Sequence, residues 1–141
     1  MGQTMTTFDE IINLYYKHDK YKKFTYPEMY YHILPSINHN QYKIFKDDGG
    51  VFGFVNWAYL SDETQDSYIR NSKIYKNEWK SGFYLWLYDI VIIRKSKEVM
   101  SWVYNYFKKL LKTNESISWL RLDENDKVYR VAKKYKREFH K

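Results

Sequence analysis

An aspartate, four histidines and a short basic turn are the groups in this chain with chemistry to offer. Asp89 lies in the middle of "LWLYDIVII" (Leu85 to Ile93), the most apolar run of the 141 residues. Its expected neighbours on one strand face are Leu87 and Val91. A lone buried carboxylate costs several kcal/mol unless it is paired or hydrogen-bonded. The nearest cation in sequence, Arg94, falls at the strand's end. Asp89 must therefore meet a distant His, Lys or Arg, or lie where the sheet opens into a cleft. Chemistry alone leaves a structural ion pair and a functional carboxylate equally open.

The histidines are His18, His32, His39 and His140. No two have the spacing of a helical metal pair, which argues against a metal site. His32 falls in an expected helix and His39 in its exit, both readable as ordinary surface or half-buried residues. His140 is next to last. His18, flanked by Lys17, Asp19 and Lys20, sits in a charged loop, where functional residues tend to lie. The third candidate is "IIRKSKEV": a strand ends and a helix capped by Ser96 begins. Arg94, Lys95, Ser96 and the helix N-terminus together could cradle a phosphate. No glycine is there to let one approach closely.

The elements that must position these groups follow from periodicity. Thr7 can cap a helix from Phe8 to about Lys17, with Phe8, Ile11, Ile12 and Tyr15 along one stripe. "KHDKYKK" interrupts as a loop. A second helix starts near Thr25, with Pro27 in its first turn, and leaves through "INHN". "QYKIF" and "VFGFVNWAYL" form a hairpin about "KDDGG". Ser61 can cap a short polar helix over "SDETQDSYIR". "LWLYDIVII" reads as a central strand covered on both faces. Ser96 opens a helix with Val99, Trp102, Val103, Tyr106 and Leu110 in phase, and "ISWLRLD" is a further strand. A hairpin feeding a strand–helix–strand crossover gives an α+β fold with a mixed, mostly antiparallel sheet and helices packed on it.

Composition bounds the rest. Seven of the 24 Lys and Arg fall between Lys127 and Lys141 against the single Glu138, leaving the rest of the chain almost neutral despite a net +7. The expected division is one domain over 1–126 and a basic tail over 127–141, suited to an acidic partner or simply solvated. Cysteine is absent, which excludes disulfides and thiolate chemistry. No secretory signal or 18-residue apolar run is present, so a protein that is neither secreted nor membrane-spanning is expected. "MGQTMT" formally matches a myristoylation pattern that chance accounts for. The 16 tyrosines reflect an AT-rich coding bias more readily than a base-stacking surface.

The ordered succession "LPSINHNQY", "GFVNWAYLS", "EWKSG" and "LWLYDIV", from about Ile33 to Asp89, resembles the RTX toxin-activating lysine acyltransferases. Weaker similarity runs on through "WLRLDE". The resemblance covers roughly two thirds of the chain. It implies a GNAT-like fold, a cytoplasmic protein that tends to dimerise, and transfer of a fatty acyl group from acyl carrier protein to a lysine ε-amine of a protoxin. No bound cofactor is implied. The family's catalytic pair is an aspartate in the central strand, which falls on Asp89, and a histidine between the first helices. Ungapped spacing puts Tyr21 at that histidine position, with Phe24 on the following aromatic. His18, three residues earlier, fits if the loop is displaced. The family's Pro-Phe-Gly after the aspartate strand is replaced by "IIRKS".

On this reading His18 is the general base and Asp89 orients it. Arg94, Lys95 and Ser96 hold the phosphopantetheine phosphate, and the basic tail docks the acidic carrier protein. A His18 ring within hydrogen-bond range of Asp89 would favour catalysis. Tyr21 in between would favour the rival: a non-catalytic binding or inhibitory protein that keeps the fold. Nucleic-acid binding through the tail is a third, weaker reading.

Overall fold

The computed structural model describes residues 6–123, 125 and 127–139. His140 and most of the "MGQTMT" pattern lie outside them. Helix α1 (Thr7–Tyr16) is capped by Thr6, which accepts from the Asp9 N–H, so the cap falls one residue before the expected Thr7. A single 3-10 turn (Asp19–Tyr21) lies within the charged loop. Helix α2 (Tyr26–Asn38) begins with a reciprocal capping box between Thr25 and Glu28, which satisfies two otherwise orphaned backbone donors.

Strands β1 (Tyr42–Asp47) and β2 (Gly50–Leu60) form the expected hairpin. Gly50 takes φ +103° in its turn, a conformation open to glycine. Helix α3 (Asp62–Asn71), capped by Ser61, leads to β3 (Tyr84–Ile92), α4 (Ser96–Leu110) and β4 (Ser116–Leu122).

With β5 (Val128–Tyr135), the five-stranded sheet has the order β1-β2-β3-β4-β5, with only the β3–β4 pair parallel. The α4 crossover produces that parallel pair. This is an α+β fold with a mixed, mostly antiparallel sheet, and β3 is central as expected. The fifth strand was not legible as one. Val128–Tyr135, within the basic segment, pairs antiparallel with β4 along its length. Lys134 lies over the Tyr104 and Phe139 rings, 5.0 and 4.8 Å from their centroids. Its ammonium is thus held against two aromatic faces.

The sheet separates two cores. On one face Ile11, Ile12, Leu14 and Tyr15 of α1 and Met29 and Ile33 of α2 pack on Phe54 and Val91. On the other, Val99, Val103 and Phe107 of α4 pack on Phe52, Val55, Trp57, Leu85 and Ile117. A third cluster sets Tyr68 of α3 against Trp79 and Trp86.

Candidate active site

A β-bulge sets the position of Asp89. Asn56 of β2 pairs with Asp89, but the next residue, Trp57, pairs with Leu87, so Tyr88 is the extra residue of β3. A bulge breaks strict alternation and re-aims the side chains around it. Tyr88 and Asp89 therefore both line the same cavity. Leu87, expected beside Asp89, packs instead with the α4 core, and Val91 stays on the aspartate's side. Asn56 locks the bulge: its Oδ1 accepts from the Asp89 N–H at 2.9 Å, and its Nδ2 donates to Ser36 Oγ at 3.1 Å. Ser36 belongs to α2, and one turn earlier on the same face stands His32.

His32 is the partner of Asp89. Its Nε2 lies 2.7 Å from Asp89 Oδ2, and the two side chains are 20% and 12% exposed. The same oxygen accepts from the hydroxyl of fully buried Tyr15 at 2.7 Å. Tyr21 donates to Oδ1 over a longer 3.4 Å. Burial opposes ionisation of Asp89, but the charge and hydrogen bond of His32, the Tyr15 hydroxyl and the Lys20 charge outweigh it and hold the carboxyl below the usual range. Burial and the adjacent Asp89 charge push the Tyr15 and Tyr88 phenols up, so both stay protonated donors. With Nε2 held by the carboxylate, His32 Nδ1 is left facing the Tyr88 hydroxyl at 3.4 Å. Four aromatic rings surround the imidazole, with centroids 5.1 to 6.2 Å away: Tyr88, Tyr15, Tyr21 and Phe24.

The pair opens on a cavity of about 630 Å³ between β3 and β4, covered by α2 and the 71–74 segment. The two parallel strands pair only at Leu85–Ile117 and Trp86–Ser118. Beyond that the sheet parts, and Tyr88 and Asp89 from one strand face Leu120 and Leu122 from the other. Asp89 is thus both paired and at the place where the sheet opens.

The other sequence candidates lie elsewhere. The His18 ring is within 3.1 Å of the Ile92 carbonyl and is not among the cavity-lining residues. The short helical turn that follows it sends Tyr21, rather than His18, to the carboxylate. Arg94 and Lys95 are both paired with Asp47, Lys95 Nζ lying 2.7 Å from its Oδ2. The N-cap position of α4 is Lys95, at φ 56°, with no side-chain cap, and Ser96 is the first helical residue. Arg94 and Lys95 tie the β1–β2 turn to the start of α4, and neither they nor Ser96 line the cavity. Among the described residues no group of three or more His, Asp or Glu could hold a metal ion, and no helix is long and apolar enough to cross a membrane.

Sequence reasoning passed over His32. A signal existed: Met29, His32, Ile33 and Ser36 follow the i, i+3, i+4, i+7 pattern of one buried helix face.

The strands of the α+β sheet thus part over a His–Asp pair inside a largely apolar cavity. Residues 2–136 match the model of the RTX toxin acyltransferase family (HlyC), and the chain belongs to that family. It is similar to the leukotoxin-activating lysine-acyltransferase LktC (serotype T3) of Mannheimia haemolytica, 35% identical over 60 residues, 42% of this chain and 36% of LktC. It is also similar to the RTX-I toxin-activating lysine-acyltransferase ApxIC of Actinobacillus pleuropneumoniae, 28% identical over 77% of this chain and 58% of that one. An uncharacterized protein of Synechocystis is 30% identical over 89% of this chain and 86% of its own length. The match thus spans little more than a third of LktC.

Proposed function

We propose that this chain is a protein-lysine acyltransferase, moving a fatty acyl group from the thioester of acyl carrier protein to a lysine ε-amine of a target protein. The observation that carries the reading is the 2.7 Å His32–Asp89 contact within an apolar-walled cavity. A lysine ammonium is not a nucleophile until it loses a proton. His32 Nδ1 takes that proton while Asp89, accepting from Nε2–H, fixes the tautomer and steadies the imidazolium. The amine then attacks the thioester carbonyl. Tyr88, kept protonated, donates to the developing oxyanion. The C–S bond breaks, the departing thiolate takes the proton from His32, and the second proton of the attacking nitrogen passes to solvent. The apolar walls, Phe24, Ile74, Leu120 and Leu122 among them, suit the acyl chain.

The names of the relatives support a toxin protein as the target. The lysines and arginines of the 127–141 segment suit an acidic carrier protein. The family likeness also suggests a GNAT-like chain acting in the cytoplasm as a homodimer. The test is incubation with long-chain acyl-acyl carrier protein and a lysine peptide, followed by mass spectrometry. Transfer by the wild type that is lost in His32→Ala and kept in His18→Ala supports the reading.

A second reading, a binding or inhibitory protein without turnover, is favoured by Tyr21 standing on Asp89 where the family resemblance expects a histidine. No transfer by a well-folded wild type, with acyl-carrier protein still bound, would establish it.

A further inference from the structure

We infer that Lys20 is an acyl acceptor of the enzyme itself, so that acylation of its own cavity rim arrests turnover. This rests on the acyltransferase reading. Lys20 is exposed and lines the same cavity as His32 and Asp89. Its charge is felt by Asp89, and its Nζ lies 5.5 Å from the ring centroid of Tyr21, whose hydroxyl reaches that carboxylate. Its own chain thus keeps an amine on the rim of the cavity that holds the proton acceptor. Proximity of that kind turns a bimolecular transfer into an intramolecular one.

Lys73 also lines the cavity, but it sits 5.0 Å from the Tyr75 ring centroid, and its charge acts on Glu28. Lys20 is therefore the acceptor and Lys73 the internal control.

The step balances without a further reagent. The Lys20 ammonium gives one proton to His32 and, after attack, loses a second. The amide C–N bond forms as the thioester C–S bond breaks. The thiolate leaves with one proton and the other passes to solvent. The product has lost the Lys20 charge and keeps its acyl chain, anchored at the rim, available to fill the cavity against the next donor.

The experiment incubates the full chain with long-chain acyl-acyl carrier protein, without and with a target lysine peptide, and maps adducts by intact mass and peptide mass spectrometry. Expected is one acyl group, on Lys20, reduced by about 10²-fold in His32→Ala and lost in Lys20→Arg, with Lys73→Arg unchanged. Target progress curves should bend over in the wild type and stay straight in Lys20→Arg. Circular dichroism checks that each variant is folded. Adducts spread over exposed lysines, or equal in His32→Ala, overturn the inference. So does a target peptide acylated while Lys20 stays free, which leaves the acyltransferase reading intact. Neither lysine acylated overturns both.

Discussion

Replacing Asp89 by Asn separates charge from shape. The two short contacts of the carboxylate, from Tyr15 and His32, converge on one oxygen, Oδ2. An asparagine carbonyl placed there keeps both as neutral acceptor bonds. The new NH2 then occupies the Oδ1 site, where it can donate to the Tyr21 hydroxyl now 3.4 Å away. What is lost is the charge. Charge-assisted bonds are roughly twice as strong as neutral ones, and a bond to a charged group contributes about 1.5–3 kcal/mol. Desolvation of the carboxylate is relieved at the same time. The net cost in stability is about 1 kcal/mol, or a melting temperature lower by about 2–8 °C. Catalysis suffers more, because the imidazolium loses its counter-charge at the moment it forms. We expect transfer to fall by about 10²–10⁴-fold, equal to about 3–5 kcal/mol of barrier. The assay is the initial rate of acyl transfer to a lysine peptide, with melting followed by circular dichroism. A folded Asp89→Asn protein that keeps more than about a tenth of the wild-type rate would refute the role given to the carboxylate.

Other outcomes follow from the same contacts. Tyr15→Phe should lower stability by about 1–3 kcal/mol in urea melts, since Asp89 then stays buried with one strong partner fewer. The loss should shrink once the carboxyl is protonated. The Asp89 carboxyl is held below its ordinary value, so its contribution to stability is present above about pH 3.9 and disappears as pH falls through the lower folded value. Denaturant midpoints measured from pH 6 downwards should show an acid-side drop that is smaller in Asp89→Asn. Gly82→Ala should cost at least about 1–3 kcal/mol, because a Cβ there would lie 2.5 Å from the Ser61 backbone. A thermal melt unchanged from wild type would mean the 80–82 segment can move away from β2. Asp47→Ala should leave the transfer rate within about twofold, since its partners Arg94 and Lys95 lie outside the cavity. A large rise in KM for the acyl donor would return those cations to a phosphate-binding role.

Much of this protein can be read from local pattern. Apolar period, capping residues and the "KDDGG" turn determine the helices, the hairpin and the central strand, because each depends on neighbours within a turn or two. The oddity of Asp89 is equally a sequence fact: a carboxylate in an apolar run requires a partner from somewhere. Strand β5 escaped notice because its cations mask the alternation, and only pairing with β4 and the rings of Tyr104 and Phe139 gives Val128–Tyr135 a reason to be extended.

The partner of Asp89 was decided by tertiary structure. His32 lies 57 residues away in the chain. It arrives because α2 buries the face bearing Met29, Ile33 and Ser36, and because Asn56 ties that helix to the bulged strand. The bulge in turn puts Tyr88 and Asp89 on one side, which strict alternation forbids. A sequence states that a buried charge must be answered; which side chain answers depends on long-range packing, and here that packing chose His32 over His18.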